Sequence, residues 1–150
     1  MKNLFLILLI VCAVGALWIR FAPTDKDRWH VDPASTNDPA PRGYRLIGPE
    51  APRFQGTPDQ VLTAVKDVAL LRSRVRLLDG GLDEGMMTFV ARSKYMGFRD
   101  YITVKAVPEG SVTKLSVISR ARYQIGSDWG INRMRLERWL AEVKARLPQG

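Results

Sequence analysis

Between Arg72 and Arg122 the chain alternates polar and apolar residues in four successive segments, and this period of two is what most narrows the fold. In the first segment Arg72, Arg74 and Arg76 face one way and Val75 and Leu77 the other, before a turn read at Asp79-Gly80-Gly81. In the second, Met87, Phe89 and Ala91 oppose Thr88, Arg92 and Lys94. In the third, Ile102, Val104 and Ala106 oppose Thr103 and Lys105, and Pro108-Glu109-Gly110 reads as a hairpin turn. In the fourth, Leu115, Val117, Ser119 and Ala121 oppose Lys114, Ser116, Arg120 and Arg122. The pattern predicts an antiparallel sheet with one dry face and one wet face.

Helical spacing brackets these strands. Thr57-Pro58-Asp59-Gln60 has the form of a capping box with proline at the first helical position. Val61, Val65, Val68 and Ala69 then recur at helical intervals, and the helix should end near Leu71. A last helix is expected from Trp129 to Leu147, with Leu136, Leu140, Val143 and Leu147 as its apolar stripe and Trp139 beside it. Residues 57–150 therefore read as a two-layer α+β domain, a four-stranded antiparallel sheet with two helices on its dry face.

The amino terminus is of another kind. Leu4 to Ile19 is an unbroken run of apolar or small residues, about 24 Å long as a helix. Residues 1–22 read as a transmembrane anchor, with Trp18 suited to the interface; a cleaved signal peptide is the rival. Cys12 follows Val11, a poor lipoprotein site. Seven of the nine prolines lie between residues 23 and 58, so residues 23–56 read as an extended tether with one short strand at 44–47. Arg20, Lys26 and Arg28 after the run favour a cytoplasmic domain by the positive-inside count, whereas a signal anchor favours export.

One cysteine, Cys12, excludes an internal disulfide, and one histidine, His30, excludes a multi-imidazole metal site. No catalytic residue, metal or cofactor is assigned. His30 lies in the tether and reads as a packing or surface residue. A hydrolase would need Asp100 or Asp128 as its base, and each has a structural reading. The formal net charge of +8 points instead to anionic partners. Arg72, Arg74, Arg76, Arg92, Lys94, Arg120 and Arg122 all fall on the expected wet face, and no acidic residue is interleaved with them. They are the candidate binding surface, for anionic lipid or an acidic protein partner; a merely solvated face is the plainer reading. Nucleic acid is disfavoured, because no aromatic platform interleaves the basic positions.

The stretch RARYQIGSDWGINRMR, residues 120–135, poses the choice between an anion site at a helix start and a well-capped helix. Ser127 or Asp128 would fill the free amides itself, with Gly126 and Gly130 giving permissive backbone. Asp128 is expected to cap, and Asn132 to tie down neighbouring backbone; with Asp100 these form a structural motif.

Three stretches carry a family likeness: Ala91-Arg92-Ser93, Gly97-Phe98-Arg99-Asp100-Tyr101-Ile102-Thr103-Val104, and Ser119-Arg120 with Gly126-Ser127-Asp128-Trp129-Gly130-Ile131-Asn132-Arg133. Together they resemble the domain-of-unknown-function family numbered 1499. Trp29-His30-Val31-Asp32-Pro33 after an apolar leader is similar to its membrane-anchored bacterial members. The resemblance implies no catalytic residue. It implies an uncharacterised bacterial envelope protein, held in the inner membrane by a single pass with its domain in the periplasm. The basic sheet face, not the resemblance, points to a non-catalytic binding domain for anionic lipid or an acidic ligand; the alternatives are an assembly or interaction subunit of an envelope complex, or a hydrolase.

Overall fold

The computed structural model describes residues 2–36, 42–124 and 126–147. Residues 1, 37–41, 125 and 148–150, which fall within the expected segments 1–22, 23–56 and 57–150, lie outside the described residues. Helix α1 (Lys2–Phe21) is exposed along its length and about 30 Å long at ~1.5 Å per residue. It is long and apolar enough to cross a membrane, a test that a signal sequence also passes.

Four strands follow one another as antiparallel neighbours: β3 (Val75–Gly81), β4 (Met86–Arg92), β5 (Arg99–Glu109) and β6 (Val112–Ala121). Two more come from the proline-rich segment. β1 (Gly43–Leu46) coincides with the short strand expected there, and β2 (Arg53–Gln55) lies beyond it. Both pair antiparallel with the free edge of β6, so the sheet has six strands rather than four. Strands of three or four residues are too short to reveal a period in sequence.

Helix α3 (Pro58–Leu70) begins at the expected capping box: Thr57 Oγ1 accepts the Gln60 amide at 3.3 Å, and the Gln60 side chain accepts the Thr57 amide at 2.8 Å. With α4 (Ile131–Arg146) it covers the face holding Phe89, Ile102, Val104, Leu115 and Val117. Trp139 is buried here, edge-on to Phe89 with ring centroids 5.9 Å apart. The turn read at Asp79-Gly80-Gly81 belongs instead to β3, and the reversal comes at residues 82–85. Gly80 (φ +84°) has no room for a Cβ between the Met86 carbonyl and the His30 ring, so close approach, not chain reversal, requires the glycine.

The larger correction concerns the second face and the expected tether. Residues 22–36 lie across that face, and every second residue of β5 holds them. Arg99 donates to the Ala22 carbonyl, Tyr101 Oη meets Thr24 Oγ1 at 2.9 Å, Thr103 donates to the Trp29 carbonyl at 3.0 Å, and Lys105 Nζ meets Asp32 Oδ2 at 2.5 Å. The short helix α2 (Lys26–Trp29), capped by Asp25, stacks Trp29 on Tyr101 with centroids 4.0 Å apart. Trp29, Val90 and Tyr101 form a second apolar cluster, and Thr88, Thr103 and Ile118 are buried as well. The face is dry because its hydroxyls and cations satisfy the carbonyls of an irregular segment, which a proline-rich stretch cannot pair as a strand.

Candidate functional site

Helix α1 ends on the sheet without slack. Its last carbonyls have no intrahelical partners, and two arginines supply them. Arg92 donates to the Arg20 carbonyl at 2.8 Å. Arg99, buried, donates to the Arg20 carbonyl at 2.7 Å, to the Ala22 carbonyl at 2.5 Å and to Thr24 Oγ1 at 2.8 Å. In the β4–β5 loop, a Cβ at Gly97 would lie 3.4 Å from Arg20 Cγ.

Beside this junction Arg20, Arg74, Arg76 and Arg92 gather with Phe21 and Ser73 around an open hollow of about 370 Å³. Among the described residues none of the four forms an ion pair with a carboxylate. Burial, then the charges of Arg99, Arg76 and Arg20, push the pKa of Arg92 down, although Tyr101 acts the other way. A guanidinium remains charged at neutral pH all the same. Burial is the larger cause of the shift; crowding of like charges is the second, and only that part would be relieved by a bound anion.

The seven basic candidates separate. Arg74, Arg76 and Arg92 come together here. Arg72 turns to the helix layer, donating to the Val68 carbonyl and to Glu142 at 2.7 Å, with its guanidinium 5.7 Å from the Trp139 ring centroid. The strand begins only at Val75, so no alternation governs Arg72. Arg120 is buried, donates to the Trp29 carbonyl at 2.8 Å and lies over that ring, so it is not on a wet surface. Arg122 lines a separate hollow with Trp18, Arg28 and Tyr123. Lys94 stands in the β4–β5 loop over Tyr95. Sequence reasoning missed the parts of Arg20 and Arg99. The alternation Arg99-x-Tyr101-x-Thr103-x-Lys105 was the available signal for Arg99.

The start of α4 is filled from within. Asp128 carboxylate oxygens accept the amides of Gly130 and Asn132 and the Asn132 side-chain amide, all at 3.0–3.1 Å. The helix begins at Ile131, two residues later than expected, and its N-cap is Gly130 rather than the expected Asp128, which acts from two residues further back. Ser127 Oγ accepts the Trp129 amide, and Gly126 and Gly130 hold φ of +70° and +76°. Asn132, buried, accepts from Ser119 Oγ and donates to the Arg42 carbonyl, while Arg135 meets Asp100 at 2.7 Å. Burial raises the Asp128 pKa, but the Asn132 and Gly130 hydrogen bonds and the charge of Arg42 outweigh it and hold the carboxyl below its ordinary value. Asp128→Ala should therefore lower stability by about 1 kcal/mol in denaturant unfolding at neutral pH. A depressed carboxyl stabilises above its unfolded pKa and loses that contribution as pH falls through the folded one, so the penalty should shrink in acid. Unchanged unfolding at neutral pH would mean that the hydrogen bonds Asp128 accepts contribute nothing.

His30 joins a row of a different kind. Its Nε2 is 2.9 Å from Glu84 Oε2 and its Nδ1 2.8 Å from Thr88 Oγ1. Carboxylate, imidazole and hydroxyl stand in the order that activates a nucleophile. Thr88, however, is fully buried and bonded to Thr103 Oγ1 at 2.9 Å, so no substrate reaches it. The row fastens the N-terminal segment to β4. Among the described residues no three of His, Cys, Asp and Glu come close enough to hold a metal ion.

Fold and site together define an α+β sheet domain docked on an N-terminal apolar helix, with arginines free of carboxylate partners, among the described residues, where the two meet. Residues 26–143 match the family described as "Protein of unknown function (DUF1499)", and the chain belongs to that family. No curated protein matches the chain. The crystal structure of TTHA0849 from Thermus thermophilus is similar over 70% of this chain and 94% of that chain, at 12% identity and a TM-score of 0.34, too slight a likeness to carry an argument.

Proposed function

We propose that this is a membrane-anchored binding protein of the bacterial envelope. In this reading α1 spans the inner membrane, the domain stands in the periplasm, and the arginines at the foot of α1 receive anionic lipid head groups. The observation that carries it is the gathering of Arg20, Arg74, Arg76 and Arg92 at the end of a bilayer-length helix, with no carboxylate among the described residues lining their hollow. Each basic side chain near an anionic surface contributes about 1 kcal/mol, screened within a Debye length.

Two exposed aromatics support the same seating. Tyr95 in the β4–β5 loop is 80% exposed and Trp129, between β6 and α4, is 85% exposed. Register pairs Arg92 with Arg99 and Asp100 with Ala121, which brings both loops to the end of the sheet where α1 stops. Tyrosine and tryptophan favour the membrane–water interface. Trp129 also holds φ +54°, which costs a bulky residue about 1–2 kcal/mol, and nothing among the described residues buries its ring in return.

The test uses the full chain reconstituted in mixed phosphatidylglycerol and phosphatidylcholine vesicles, with spin-labelled lipids reporting which head group associates with the protein. Anionic lipid should be preferred, and salt should weaken the preference. Arg74→Glu with Arg76→Glu should reduce it about tenfold or more, at about 1 kcal/mol per side chain removed and further repulsion from each glutamate. Equal association of both lipids with the unaltered chain sinks the head-group reading. A reporter fused after Gly150 that registers in the cytoplasm sinks the periplasmic one.

A further inference from the structure

A second depression adjoins the arginine hollow and shares Arg74 and Arg92 with it. It is a groove of about 550 Å³ between the α3–β3 turn, the start of β3 and the first two turns of α4. That volume lies within the range of small-ligand sites. Leu71, Ile131 and Met134 form apolar walls and are 67%, 50% and 55% exposed. Arg74, Arg92 and Arg138 line it without a carboxylate partner among the described residues. The other two arginines of the lining are committed, Arg72 to Glu142 and Arg135 to Asp100.

The groove thus pairs unneutralised cations with an uncovered apolar wall, and through Arg74 and Arg92 it continues to Arg20 and Phe21 at the end of α1. A small free anion would leave the wall in water. A neutral lipid would leave the charges without a counterpart.

We infer that the groove holds a single anionic phospholipid drawn from the adjoining bilayer, its phosphate on Arg74, Arg92 and Arg138 and the first carbons of one chain against Leu71, Ile131 and Met134. This inference rests on the seating of the domain against the membrane, and it adds a one-to-one site to what is otherwise a general preference for anionic head groups. The apolar wall gives the site a contribution that salt does not screen, so the held lipid persists where annular lipid is washed away.

Native mass spectrometry of the detergent-solubilised full chain, supplied with phosphatidylglycerol and phosphatidylcholine, reads the stoichiometry directly. One phosphatidylglycerol per chain should survive high salt. Arg138→Glu and Met134→Glu are exposed positions on α4 that line the groove but not the hollow at the foot of α1. Each should reduce retention about tenfold or more, while the reconstituted protein still prefers anionic lipid in the spin-label measurement. Glycerol phosphate, which lacks acyl chains, should not displace the lipid. The inference is overturned by absence of a stoichiometric lipid, by retention unchanged in both variants, or by displacement with glycerol phosphate. If the spin-label preference is absent while one lipid is retained, it is the head-group reading that fails. Loss of the spin-label preference in Arg138→Glu and Met134→Glu would merge the two sites and likewise overturn the groove.

Discussion

Trp29→Ala should destabilise the domain by about 3–5 kcal/mol, the usual cost of truncating a buried tryptophan. The ring is stacked on Tyr101 at 4.0 Å, carries the Arg120 guanidinium 5.1 Å from its centroid, and packs with Val90. Removing it opens a cavity beside Tyr101, Arg120 and Val90. Tyr101 is fully buried, and a hydroxyl-bearing ring brought into water loses both its stack and its contact with Thr24. The Trp29 carbonyl accepts from Thr103 and Arg120 together, so a shift of the backbone there strands two buried donors. Typical domains are stable by only about 5–15 kcal/mol, and so the effect should be plain in denaturant unfolding of the full chain in detergent. Hydrogen exchange should localise it to residues 22–36 and to β4 and β5. Trp29→Phe, which keeps an aromatic face, should recover more than half. A loss under about 1 kcal/mol would mean that residues 22–36 merely rest on the sheet and contribute nothing to its stability.

Such a role for Trp29 was hard to read in the sequence, while the helix-covered layer was plain. Met87, Phe89 and Ala91, Ile102 and Val104, and Leu115 and Val117 show their common face by period alone, and the capping box placed α3 to the residue. The opposite face was misread because alternation reports polarity, not exposure. Arg99, Tyr101, Thr103 and Lys105 look wet at every second position. They are polar because they must satisfy the carbonyls and hydroxyls of a segment that has no ladder of its own. The apolar pair Val117-Ile118 and the run Phe89-Val90-Ala91 were the signs that both faces are covered. The proline density pointed correctly to a segment that is neither helix nor long strand. It did not show that such a segment is free of the domain. At the candidate site, Arg74, Arg76 and Arg92 were legible as a basic set, whereas Arg20 joins them only because α1 is docked. Ile131, Met134 and Arg138 share a face of α4 that strand periodicity does not address.

Docking of α1 depends most on Arg99, and Arg99→Met is expected to release it. The methionine keeps much of the apolar stem and removes three donated hydrogen bonds, to the carbonyls of Arg20 and Ala22 and to Thr24 Oγ1. Hydrogen bonds from a charged donor contribute about 1.5–3 kcal/mol each when the acceptor has no alternative. Water reaching the freed carbonyls recovers part of this, leaving a loss of about 2–4 kcal/mol at the junction. One effect opposes it. Arg99 is among the positive charges that crowd Arg92, and its removal relieves that repulsion. Repulsion between charges with solvent on one side is worth about 1 kcal/mol or less, so the lost hydrogen bonds decide the sign. Arg99→Lys should fall between, because one ammonium on a flexible stem cannot serve two carbonyls and a hydroxyl with the planar fork of a guanidinium. Protease cleavage between Arg20 and Arg28 in the reconstituted full chain gives the readout. The unaltered chain should resist, since these residues are bonded to β4 and β5, and Arg99→Met should be cut rapidly while the far-side helices α3 and α4 keep their hydrogen-exchange protection. Equal resistance of the two proteins would show that the Arg99 hydrogen bonds are not needed to hold the end of α1, which the Arg92 bond to the Arg20 carbonyl and the Tyr101–Thr24 contact would then secure.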